Sequence, residues 1–173
     1  MAAAAAPLDR FLKAAGALGD RLGPLLVQLP PSLPYDARRA GTFFKVLRAR
    51  FAGPVVCEAR HASWFDDEAD VALQSFKIAR VAADPAVVPA AGRPGGWRGL
   101  VYRRLHGAPR MYYSAYSPAA LKAMAQDIKR KKPTADYWCM FDNTASGAAA
   151  ENALDLARLM ARQLPGTLPG GPR

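Results

Sequence analysis

Five apolar runs of strand length, each closing on polar or ionisable residues, constrain this chain more than any other feature. They are LLVQLPPSL (25–33), VVCEARHASW (55–64), ARVAAD (79–84), LVYRRLHG (100–107) and YWCMFDN (137–143). Continuous apolar runs suit strands covered on both faces, as in parallel sheets. Helical periodicity fills the intervals. A parallel β/α fold of this kind gathers its chemistry at the carboxyl ends of the strands, which is where these runs turn polar.

The spacing of Leu8, Phe11, Leu12, Ala15 and Leu18 predicts a first helix over 8–18, with Gly19 and Gly23 marking its end. The strand over 25–29 stops at Pro30 and Pro31. Asp36 is the expected N-cap of a helix over 37–51, whose apolar face carries Phe43, Phe44, Leu47 and Phe51. Asp66 and Asp67 open a helix through Val71, Leu73 and Phe76, and a strand follows over 79–84. Residues 85–99 are rich in Ala, Pro and Gly and read as a loop in place of a crossover helix, with Trp97 packed there. Ser117 and Pro118 start a helix to about residue 131. A last strand over 137–141 and a helix over 147–163 complete the pattern, and the tail 165–173 is expected to be disordered. The fold class is α/β. The expected architecture is a partial TIM (β/α) barrel of about five parallel strands with covering helices, in one incomplete domain over 1–164. A closed eightfold barrel usually takes about 250 residues; this chain has 173.

Composition excludes some classes. With 51% hydrophobic and 22% charged residues the chain is globular, not disordered. No apolar run reaches the roughly 18 residues of a membrane span, and MAAAAAPLDR lacks the basic start of a signal peptide. A cytoplasmic protein without a membrane partner is the expectation. Cys57 and Cys139 each fall inside a strand run, which suits reduced, space-filling thiols, and no zinc-type spacing occurs. The net charge of +10 fits a nucleic acid or other polyanion as partner; it fits a solvated, arginine-rich surface better. The one patch-like run, Lys129-Arg130-Lys131-Lys132, closes a helix, where cations also suit the macrodipole.

Alternation along the strands decides which polar residues can meet. Glu58 and Arg60 share one face of their strand; Tyr102, Arg104 and His106 share one; Phe141 and Asn143 share one; Gln28 shares its face with Pro30. If Gln28, Glu58, Arg60, Arg104, His106 and Asn143 all face the axis, they form one polar cluster at the mouth. Glu58 would pair with Arg60 or Arg104, since a buried charge is costly alone. Such a pocket is cationic, with one carboxylate and one imidazole. Its arginines suit a phosphate or carboxylate group, and Glu58 and His106 suit proton transfer near neutral pH. The bland alternative is mutual neutralisation that caps the core. His61 falls on the opposite face from Glu58, and Asp84 suits a turn cap as well as a site. The segment DNTASGAAAENAL leads through Asn143 and Gly147 into a helix start, a place for an anion or an ordinary cap. No P-loop, dinucleotide glycine motif or nucleophile elbow is present.

At these residues the chain resembles the YecE-like family, the domain of unknown function family 72. The matching stretches are LGPLLVQLPPSL, EARHASWF, YRRLHG and FDNTASGAAAENAL, in that order. The resemblance implies a TIM-barrel fold, loosely linked with sugar isomerases, and no firmly assigned activity or cofactor. It marks Gln28, Glu58, Arg60, His61, Trp64, Arg104, His106, Gly107, Asn143, Gly147 and Asn152. It also implies that the first β/α units are missing, through a late start or a truncated gene. An open sheet of that kind exposes two edges and is expected to self-associate. The leading functional expectation is an enzyme, or its remnant, acting on a small anionic or phosphorylated sugar-like substrate. A phosphate- or nucleic-acid-binding module and an inactive fragment are the alternatives. Glu58 and His106 are the expected catalytic pair; Gln28, Arg60, His61, Trp64, Arg104, Gly107, Asn143 and Gly147 are the expected substrate-binding set. No metal ligand set is expected.

Overall fold

A computed structural model describes residues 2–130 and 135–161. Lys131 and Lys132 of the basic run and the tail over 165–173 lie outside the described residues.

The strand runs form an open, mostly parallel arc. Strand β1 (Leu25–Gln28) pairs in parallel with β2 (Val55–Glu58), and β2 with β3 (Ile78–Arg80). After Val81 the chain resumes as β4 (Ala82–Asp84), which pairs in parallel with β6 (Leu100–Leu105), and β6 with β7 (Asp136–Phe141). The single strand expected over 79–84 is thus divided between two sheets. Val81 bridges the division: its N–H donates to the Cys57 carbonyl at 2.9 Å. β1 and β7 are the outer strands of the arc, and among the described residues the sheet does not close.

Helices cover the convex side. Helix α1 (Ala2–Gly16) begins earlier than its apolar spacing predicts, because the alanine-rich start continues the helix through Pro7. Helix α2 (Ala37–Arg48) carries the expected cap, with the Asp36 carboxylate accepting from Arg39 N–H at 2.8 Å. It ends sooner than expected, where Arg48 turns inward. Helix α3 (Asp67–Ser75) follows. Helices α4 (Pro118–Arg130) and α5 (Ala148–Ala161) cover the second half, and Ser117 Oγ accepts from Ala120 N–H. Phe44, Leu47, Leu73, Val55, Cys57 and Ile78 form the core under α2 and α3. Leu121, Ala125 and Leu156 form its counterpart under α4 and α5, with Cys139 and Phe141 packed on it.

The loop over 85–99 is more ordered than its composition predicts. It contains a 3-10 turn (Pro89–Gly92) and a two-residue strand, β5 (Gly95–Gly96), antiparallel to β3. Gly96 has φ +62°, and its N–H donates to Asp70 Oδ1 at 2.7 Å, while Arg80 binds the same oxygen at 3.0 Å. Trp97 packs on the concave core of Val56, Ala79, Val81, Leu100 and Tyr102. Across the arc, the Trp138 ring of β7 reaches Gly23, two residues before β1: a Cβ there would lie 2.9 Å from it. A cavity of about 590 Å³ opens at this amino end of the strands, lined by Gly23, Pro54, Trp97 and Trp138 among others. Arg48 beside it has its guanidinium engaged by the carbonyls of Phe51, Gly53, Phe76 and Lys77. Among the described residues no helix is long and apolar enough to cross a membrane.

Candidate functional site

The polar ends of the runs meet at the opposite, carboxyl end of the arc. Register explains the meeting. The β1–β2 ladder sets Gln28 beside Glu58, and the ladders of β6 set Arg104 beside Ala83 and Met140. Alternation puts His106 on the face of Arg104, and Asp142 on the face of Met140.

Glu58 is the hub. It is 2% exposed; its Oε1 lies 2.7 Å from Arg60 Nη2, and its Oε2 2.6 Å from Arg104 Nη1. Arg104 Nη1 also donates to Gln28 Oε1 at 2.7 Å, and its Nη2 to Asp142 Oδ2 at 2.8 Å. His106 is 1% exposed and stands between the two carboxylates. Its Nε2 is 3.3 Å from Glu58 Oε1 and 3.4 Å from Arg60 Nη2. Its Nδ1 comes within 3.0 Å of Asp142 Oδ2, without the alignment of a hydrogen bond. An imidazole with one proton can donate to only one of these carboxylates; the doubly protonated ring can serve both.

Burial alone would push the Glu58 carboxyl up. Hydrogen bonds from His106 and Arg104, with the charges of Arg104 and Arg60, outweigh burial and hold it at about 2. Burial likewise works against the Arg104 cation, but Glu58 and Asp142 prevail and raise its pKa. Two arginines against two carboxylates leave the cluster neutral before His106 is counted. The cationic pocket with one carboxylate, expected from the sequence, is therefore corrected: the second carboxylate, Asp142, compensates it.

The model of the family described as "Protein of unknown function DUF72" matches residues 1–172. The chain belongs to the DUF72 family. It shares its fold with a DUF72 family protein from Thermotoga maritima MSB8, at 24% identity and a TM-score of 0.74, over 91% of this chain and 65% of that one. Two crystal structures of a DUF72 family protein from Enterococcus faecalis V583 match at 19% and 21% identity and TM-scores of 0.72 and 0.71. These matches cover 89% of this chain and 65% and 68% of theirs. The chain thus spans about two thirds of the length of these relatives, and identities this low speak for the fold alone. No curated protein matches it.

Of the positions that the DUF72 resemblance marks, Gln28, Glu58, Arg60, Arg104 and His106 come together. Asn143 does not join them. Phe141 faces the helices in the core under α4 and α5, and Asn143, two residues on, follows it outward. Its Nδ2 donates to the Ser114 carbonyl at 3.0 Å and to Asn152 Oδ1 at 2.9 Å. Asn152 in turn holds both the N–H and the carbonyl of Tyr116. The two asparagines therefore pin the loop over 107–116 against α5. Gly107 has φ +89°, and a Cβ there would lie 2.6 Å from the Ser114 carbonyl, so it permits the loop's turn. Gly147, at φ +77°, leads into α5 with open space around it.

His61 and Trp64 also stand apart. His61 Nδ1 is 2.9 Å from Ser63 Oγ and caps the turn Ala62–Phe65. Trp64 is buried under the helices and donates from Nε1 to the Leu33 carbonyl at 3.0 Å. Asp84 Oδ2 accepts from the Tyr116 hydroxyl at 2.8 Å, which in turn accepts from Gly107 N–H at 3.0 Å. Burial, then the bond to Asp84, raises the pKa of that phenol. Asp142 was absent from the sequence reading; Tyr112, from the loop after Gly107, stands with its ring against His106 at 5.5 Å.

Proposed function

We propose that this DUF72 chain is an enzyme that moves a proton on a small sugar-like substrate, with His106 as the acid–base group. The observation that carries the reading is a buried imidazole between two carboxylates, 3.3 Å from Glu58 and 3.0 Å from Asp142, at the carboxyl ends of parallel strands. Glu58, held at about 2, is too weak a base to take the proton at neutral pH. It orients His106 and fixes both arginines. Asp142 is 31% exposed and connects His106 to the open mouth. Gln28 and Arg104 meet the substrate's oxygens from the side of β1 and β6, and Arg60 from the side of β2. A phosphate or carboxylate would displace Asp142 from Arg104; a hydroxyl or carbonyl oxygen would not. The reading therefore takes free sugars first and phosphorylated or other anionic sugars second. It places the protein in the cytoplasm, with thiols reduced; burial pushes the Cys57 thiol up to about 12, which keeps it inert.

The test is carbon-bound proton exchange. The protein is incubated in heavy water with a panel of aldoses, ketoses and their phosphates, and loss of C–H signal is followed by NMR. Exchange by wild type and none by His106→Gln supports the reading. No exchange with any sugar, or equal exchange by the variant, overturns it.

A second reading, binding of phosphate or nucleic acid, draws on one further observation. Among the described residues, Arg93, Arg98 and Arg103 line a groove of about 510 Å³ in which Asp127, paired with Arg103 at 2.7 Å, is the one acid. It predicts polyanion affinity that falls steeply with salt; affinity flat with salt excludes it.

A further inference from the structure

Tyr112 holds a backbone conformation that tyrosine rarely takes. Its φ is +68°, in the left-handed region where a Cβ crowds the backbone. The chain secures it on both sides. Tyr112 N–H donates to the His106 carbonyl at 2.6 Å, and its own carbonyl accepts from Ala145 N–H at 3.0 Å. The next residue is anchored by its side chain: Arg110 lies 3.8 Å over the Tyr113 ring. Tyr112 differs. Its ring stands perpendicular to His106 at 5.5 Å, its hydroxyl has no hydrogen-bond partner among the described residues, and it stays 40% exposed. A fold under no other demand would place glycine or asparagine here. Strain kept at a non-glycine residue beside a polar cluster points to a role in the site.

We propose that Tyr112 is a positioning residue of this site. Its strained backbone sets one side of the ring against His106, covering and orienting the imidazole. The rest of the ring and the free hydroxyl form the outer wall that a ligand meets. The ligand half rests on the acid–base reading above; the positioning half does not, and it is tested without a substrate.

The sequence holds two histidines, so reaction at His106 can be read against His61 in the same molecule. Wild type, Tyr112→Asn and Tyr112→Phe are treated with diethyl pyrocarbonate, and each histidine's modification rate is read by peptide mass spectrometry. Asparagine suits the left-handed backbone but removes the ring; phenylalanine keeps the ring. His106 should react about tenfold or more faster in Tyr112→Asn, as cover over it is lost, with His61 unchanged and Tyr112→Phe like wild type. Melting temperature should stay level or rise in Tyr112→Asn, because strain is relieved. Unchanged His106 reactivity in Tyr112→Asn, or a fall in melting temperature of more than about 5 °C, overturns the proposal. A negative sugar-exchange assay would remove the acid–base reading and leave this outcome as it stands.

Discussion

Asp142 holds its Oδ2 3.0 Å from His106 Nδ1 and 2.8 Å from Arg104 Nη2, so one carboxylate oxygen bonds a cation and lies beside an imidazole. An amide in its place keeps the size and loses the charge. Asp142→Asn should lower proton exchange by about 10²-fold, in the range of a lost acid–base partner. Its stability should change by only about 1 kcal/mol, because the pair is partly exposed. Exchange rates and a urea titration on the same samples separate the two effects.

Glu58→Gln should be costly to the fold. The variant leaves the partly buried Arg60 and Arg104 without their shared carboxylate, while Arg104 keeps Asp142, a loss of about 3 kcal/mol. The pH dependence follows from the direction of the shift. Because the folded-state carboxyl is held at about 2, below its unfolded value, its contribution is complete above the unfolded value and disappears as pH falls towards 2. Wild type should therefore lose stability between roughly pH 4 and pH 2 more steeply than Glu58→Gln. Parallel melting curves of the two proteins across that interval would expose the idea as wrong.

Arg48 organises the amino end of the strands. Its Nε donates to the Phe76 carbonyl at 2.7 Å, its Nη1 to Gly53 at 2.7 Å and its Nη2 to Lys77 at 2.6 Å. Arg48→Ala should destabilise the protein by about 2–3 kcal/mol, since carbonyls lose their donors. Arg48→Lys should recover little, because an ammonium cannot reproduce the planar fork. Denaturant midpoints give the comparison.

The concave side carries exposed apolar groups on its outer strands: Leu26 at 36%, Trp138 at 40% and Met140 at 42%. With β1 and β7 at the ends of the arc, such edges recruit further strands. Wild type is expected to self-associate with concentration, and Leu26→Lys to shift it towards monomer. Light scattering coupled to size exclusion reads this directly; a wild-type monomer at all concentrations would refute it.

The strands were legible because parallel strands are apolar throughout and turn polar where they emerge. The shared faces of Glu58 with Arg60 and of Arg104 with His106 were legible from the two-residue period of a strand, although Arg103 beside Arg104 is equally charged. The last strand gave no such phase. Tyr137, Cys139 and Phe141 are as apolar as Trp138 and Met140, so alternation could not say which set faces inward. The choice fell on Asn143, whereas the pairing of Arg104 with Met140 brings in Asp142. The division at Val81 left no mark because the residues around it, Ala79, Val81 and Ala82, are apolar and buried. The backbone of Tyr112 was hidden for another reason: a left-handed tyrosine is what composition argues against, and only tertiary bonds hold it there.

The approach of Trp138 to Gly23 makes the opening between the first and last strands a mechanical quantity. A larger side chain at position 23 would force the indole to swing away, and the two ends of the sheet would spread like a jaw. The Gln28–Arg104 bond ties β1 to β6 at the other end. Glycine at position 23 thus lets β1 and β7 approach at one end while a hydrogen bond draws β1 towards β6 at the other.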